Sequence, residues 1–224
     1  AKGEKIYATI AVNVASLNDW VPDSGGELAA NFRVLGKWPD VAINGNARGH
    51  ELRMNEMRLQ GISLDADVNK PLDPEGAVKV QMEGLSAAGF EFETLQANAS
   101  GNSAEHRAEV NTTGKPLAFA VAVQGGREED GWSGAVQRLV LDVKDAARLS
   151  LREPANVVMK TQDQKMAVDV SRACLTDRDI ELCLQGGMQP DGSLQGSYSL
   201  ANVPLALANS MSSGDLPLRF KGLI

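Results

Sequence analysis

The sequence predicts an all-β protein, an elongated and mostly antiparallel sheet with one apolar face and at most one short helix. Three observations carry that prediction. Apolar residues recur with a period of two through most of the 224 residues, which sends successive side chains to opposite faces of a strand. The alternating runs are punctuated by Gly, Pro, Asn and Asp at turn spacing. Hydrophobic residues make up 43% of the chain but aromatic ones only 4%, so the inward positions are filled by small and aliphatic groups that leave room along a long sheet.

The runs follow one another closely. Ile6, Ala8, Ile10, Val12 and Val14 alternate with more polar neighbours, and Leu28, Ala30, Phe32 and Val34 repeat the pattern. Val41, Ile43, Gly45 and Ala47 come next, then Leu52 and Met54, then Met57 and Leu59. A change of phase leads from Leu59 into Ile62, Leu64, Ala66 and Val68, which predicts a bulge. After the turn-rich stretch Asn69–Gly76 come Val78, Val80 and Met82, and Phe90 and Phe92 shift phase into Leu95, Ala97 and Ala99. Ala104, His106, Ala108 and Val110 precede Leu117, Phe119, Val121 and Val123. Trp132, Gly134 and Val136 shift into Leu139, Leu141 and Val143. The last part supplies Met166, Val168 and Val170, then Ile180, Leu182 and Leu184, then Leu194, Tyr198 and Leu200, and finally Leu216, Leu218 and Phe220. That is about a dozen strands of roughly nine residues, each spanning about 30 Å. The one helical pattern is Pro204–Met211, with Pro at the first position and Leu205, Leu207, Ala208 and Met211 on one side.

Composition excludes several classes. A net charge of −7 argues against nucleic acid as a partner, because that affinity rests on Lys and Arg neutralising phosphates. Two Cys and two His are too few and too scattered for a four-ligand zinc site. The chain has no P-loop and no dinucleotide-binding Gly motif. Gly131-x-Ser133 lacks the final Gly of a nucleophile elbow, since Ala135 stands there. Asp65-x-Asp67-x-Asn69 opens like a calcium loop, but Lys70 occupies the position that needs Gly. No carboxylate pair is singled out for glycoside hydrolysis. The reading is therefore of a non-enzyme with no cofactor and no metal.

Four phrases in order resemble the TamB family, a subunit of the bacterial translocation and assembly module within the AsmA-like group. Gly101-Asn102-Ser103-Ala104-Glu105-His106 is similar to its Gly-x4-His strand, and Gly131-Trp132-Ser133-Gly134 leading into Leu139 and Leu141 is similar to its Trp-x-Gly strand. Leu149-Ser150-Leu151-Arg152-Glu153-Pro154 follows. Cys174-Leu175 with Leu182-Cys183-Leu184-Gln185-Gly186, then Leu200 to Pro204-Leu205, resembles the family's paired-cysteine hairpin and Pro-Leu segment. The resemblance implies a long periplasmic protein anchored in the inner membrane, reaching an outer-membrane barrel partner. It further implies a sheet curled lengthwise into a U-shaped, taco-like trough whose apolar groove shields phospholipid acyl chains in transit to the outer membrane and supports assembly of outer-membrane proteins. Residues 1–224 read as one elongated β-groove segment of such a chain, since Ala1–Tyr7 has neither an initiator Met nor a targeting pattern and the anchor is absent from the sequence.

On that reading the groove is lined by Phe32, Val34, Leu64, Val80, Phe119, Val121, Leu141, Val168, Leu182 and Phe220. Cys174 and Cys183 flank the turn-like Thr176-Asp177-Arg178-Asp179. Cys183 lies on the face opposite Ile180, Leu182 and Leu184, so Cys174 meets it only if a bulge near Ser171 and Arg172 shifts the phase. A disulfide, two inert thiols and metal ligation are the alternatives. His106 shares parity with Ala108 and Val110 and is read as facing the apolar side, either touching a headgroup or hydrogen-bonded to backbone. Trp132 either contacts lipid or fills space at a bulge, and Glu128-Glu129-Asp130 is a solvated acidic turn. The open sheet edges favour self-association. The competing reading is a β-rich adhesin or binding module, sandwich or solenoid, acting through its outer face. It predicts a regular 20–30-residue repeat and polar ladders, and the sequence displays neither.

Overall fold

The computed structural model describes residues 5–162 and 165–204. Fourteen strands follow in order. They are β1 Lys5–Val14, β2 Ser24–Lys37, β3 Asp40–Met54, β4 Met57–Asn69, β5 Glu75–Ala87, β6 Phe90–Gly101, β7 His106–Lys115, β8 Leu117–Glu128, β9 Gly131–Val143, β10 Ala147–Leu151, β11 Ala155–Gln162, β12 Lys165–Asp177, β13 Ile180–Met188 and β14 Leu194–Ala201. The all-β expectation holds, with antiparallel pairing throughout the described ladders. One 3-10 turn, Leu17–Asp19, is the helical element among the described residues. No helix among them is long and apolar enough to cross a membrane. The expected Pro204–Met211 helix lies outside the described residues from residue 205 onward, as does Phe220.

The chain divides into two compact units, the first formed by Ala1–Ser103 with Val110–Gly114 and the second by Ala104–Glu109 with Lys115–Ile224. In unit one, strands β1 to β6 are neighbours in sequence order. In unit two the order runs β8, β9, β10, β12, β13, β14, and β11 pairs with both β9 and β12. β10 and β11 are thus two halves of one interrupted strand between β9 and β12. Arg152-Glu153-Pro154 makes the break, because Pro has no N–H to give a ladder.

Apolar phase is kept by two devices, bulges and a reversal of side-chain parity. In unit two, a bulge between Ala122 and Val123 sets Val123 against Val136 and leaves Gln137 as the extra residue, so Val121, Val123, Val136 and Leu139 all stay on one face. A second bulge between Val170 and Ala173 does the same for β12. The phase changes expected as bulges in β4 and β6 have another origin. The β4–β5 register is unbroken on either side, from Leu59↔Leu85 to Ile62↔Met82. Instead Glu51 and Gly84 take left-handed backbone angles of φ 50° and 62°, and β3 to β6 reverse side-chain parity together. A Cβ on Gly49 would lie 2.9 Å from Leu52 Cδ1 and 3.0 Å from Ile62 Cγ2, which places residues from before and after the reversal on the same face.

Candidate functional site: an apolar face in each unit

Directly paired residues of antiparallel strands point to the same side, so the registers define the face. Unit one carries the rows Val14–Leu28–Gly49–Ile62–Met82–Leu95, Val12–Ala30–Ala47–Leu64–Val80–Ala97 and Ile10–Phe32–Gly45–Ala66–Val78–Ala99. Ala8–Val34–Ile43–Val68 continues them. No charged residue interrupts these rows. Four of the residues expected to line a groove, Phe32, Val34, Leu64 and Val80, therefore sit on one common face. All four are half-buried, while Asn31, Arg33, Asp65 and Lys79 beside them are exposed on the other side. At the β1 edge the apolar face is more open still, with Ile10 51% exposed. Val41 and Leu59 are the only buried aliphatic side chains larger than Ala among the described residues of unit one.

The small residues in these rows have a packing reason. A Cβ on Gly45 would fall 2.6 Å from Phe32 Cδ1, so the phenyl ring lies over the glycine and a larger residue would push it off the sheet.

Unit two places Phe119 opposite Leu141 and Val121 opposite Leu139. Leu141 pairs with Leu149, and Leu182 pairs with Leu175 and Leu200. Val168 pairs with Met159 and Met188. All five expected residues share one face, but their settings differ. Ala147, Leu149 and Leu175 form a buried cluster, and Leu141 and Leu182 pack against it, so these two contribute to a local core. Phe119, Val121 and Val168 are half-buried outside it.

Trp132 and His106 form a pair that neither residue's sequence context reveals. Trp132 Nε1 donates a 2.7 Å hydrogen bond to His106 Nε2, and the rings are tilted with centroids 6.0 Å apart. The indole covers two glycines: a Cβ on Gly125 would meet Trp132 Cζ2 at 2.4 Å, and one on Gly134 would meet Cη2 at 2.4 Å. An indole N–H is thus one partner of His106. The spacing of Trp132 and Gly134 in one strand was the available signal, since a ring lying back along its strand needs a residue without a side chain beneath it.

On the opposite face of unit two, Cys174 and Cys183 are directly paired and disulfide-bonded, with Cα atoms 4.0 Å apart. The bulge expected at Ser171 and Arg172 is the one that brings them together. Ser171 Oγ also accepts the Asn156 backbone N–H at 2.8 Å, tying the bulge to β11. Arg152 Nη1 donates to Glu181 Oε2 at 2.7 Å beside the sulfurs.

The geometry defines a class first: an antiparallel β protein in which each of two units collects apolar side chains on one face of its strands. A family model described as TamB, N-terminal domain, matches residues 2–219, and the chain belongs to that family. No solved structure matches it.

Proposed function

We propose that this chain is a segment of a periplasm-spanning TamB-like protein in which the apolar faces form a groove that shields phospholipid acyl chains on the way to the outer membrane. The observation that carries the reading is the set of uninterrupted apolar rows in unit one, continuous over six strands and half-exposed. Each acyl CH2 kept from water is worth about 0.8 kcal/mol, so a chain of some sixteen carbons needs roughly 12 kcal/mol of continuous apolar cover. Aliphatic rows supply that cover without fixed polar contacts, which favours movement over tight capture. The further roles, support of outer-membrane protein assembly and pairing with an outer-membrane barrel partner, rest on family membership alone, as do the inner-membrane anchor and the periplasmic location. The residues in these rows are apolar, and the role proposed for them is structural rather than catalytic.

A second reading, an outer-face binding module, is favoured by one observation. Asn31, Asn46, Asp65, Lys79 and Asn98 form a polar row across unit one, a ladder of the kind such a module uses. The two readings separate on substitution in the full-length protein. Val80→Asp places a charge in the apolar rows and should abolish lipid transport while the protein remains folded by circular dichroism. Lys79→Asp changes the polar row and should leave transport intact. The opposite pattern contradicts the conduit.

A further inference from the structure

We infer that when the Cys174–Cys183 disulfide is reduced, the two sulfurs and the Glu181 carboxylate become a site for a thiophilic divalent cation, Zn2+ being the fitting one. One ligand atom from each of the three residues lies within 4.8 Å of the other two. Glu181 Oε2 is held by Arg152, and Oε1 is turned toward Cys183 Sγ at 3.3 Å. A ligand whose second oxygen is already fixed by a neighbour is oriented before any metal arrives.

The sulfurs stay together without the S–S bond. Ala173↔Leu184 and Leu175↔Leu182 hold the register on either side, and the bulge at Ser171 and Arg172 keeps both cysteines on one face. Two thiolates bound at about 2.3 Å on a tetrahedral metal stand about 3.8 Å apart, which a directly opposed pair can span. Cys183 is 2% exposed, yet a hollow of about 180 Å3 opens beside it, bounded by Arg172, Gln185, Ser197 and Ser199. That hollow gives an ion an approach to the Cys183 sulfur. Two thiolates select Zn2+ over Mg2+ or Ca2+.

The chemistry balances. A dithiol passes two electrons and two protons to the Cys174–Cys183 bond and is itself oxidised to a disulfide; Zn2+ then displaces the two thiol protons without changing oxidation state. Either crosslink, covalent or metal, pins β12 to β13.

The test uses the intact chain, oxidised or reduced with a phosphine that leaves no competing thiol. The reduced chain should bind Zn2+ one to one, and Co2+ in its place should give thiolate-to-metal charge-transfer absorption, both absent from the oxidised chain. Glu181→Gln should weaken Zn2+ binding at least tenfold. The inference is overturned if the reduced chain takes up no more Zn2+ than the oxidised one, or if the Cys174→Ser, Cys183→Ser double variant binds equally well. An unchanged affinity in Glu181→Gln also overturns it, since that is the behaviour of a loose dithiol.

Discussion

The indole of Trp132 lies across Gly125 and Gly134 and donates a 2.7 Å hydrogen bond to His106 Nε2. Gly134→Ala puts a methyl 2.4 Å from both the ring and the Gln124 carbonyl oxygen. The ring must leave the sheet, at a cost of about 1–3 kcal/mol, and tryptophan fluorescence should shift to the red. His106→Ala removes the acceptor and should cost about 1 kcal/mol with a smaller shift. Urea titration followed by fluorescence measures both.

The disulfide should contribute measurably to stability. Cys174 and Cys183 are nine residues apart, and closing a loop of about ten residues constrains the unfolded chain by about 2.7 kcal/mol. The Cys174→Ser, Cys183→Ser double variant should unfold at correspondingly lower denaturant. Thiol titration of the denatured, unreduced wild type should find no free thiol.

Gly26 of β2, with φ +99°, stands opposite the bulge of β3, where Glu51 and Leu52 face it between the pairs Gly25↔Arg53 and Glu27↔His50. A Cβ there would lie 2.6 Å from the carbonyl oxygens of His50 and Glu51. Gly26→Ala combines backbone strain with a clash against main chain, and should destabilise the protein by about 1–3 kcal/mol. Gly192→Ala is the control: φ is +85° but no atom lies within 4 Å, so the backbone penalty acts alone and the loss should be smaller.

Much of this was legible in the sequence because period-two alternation fixes which side chains share a face. Phe32, Val34, Leu64 and Val80 were readable as one face, and the parity of Cys183 against Leu182 required a bulge near Ser171 and Arg172 if the two cysteines were to meet, which is where it lies. What escaped reading depends on partners distant in sequence. β11 was missed because Val157, Val158 and Met159 run together without alternation, and its place is set by pairing with both β9 and β12. The parity reversal at Glu51 and Gly84 looked like a bulge because alternation reports phase and says nothing of backbone handedness. The indole donor to His106 is 26 residues away, beyond any local pattern.

Site-specific photocrosslinking in cells tests the central claim most directly. A photoreactive residue is placed in turn at Phe32, Leu64 and Val80, and at their neighbours Asn31, Asp65 and Lys79 in the same strands of the full-length protein. The account predicts phospholipid adducts from the first three positions and little or none from the second three. Equal labelling of the two sets, or labelling confined to the polar row, would contradict it.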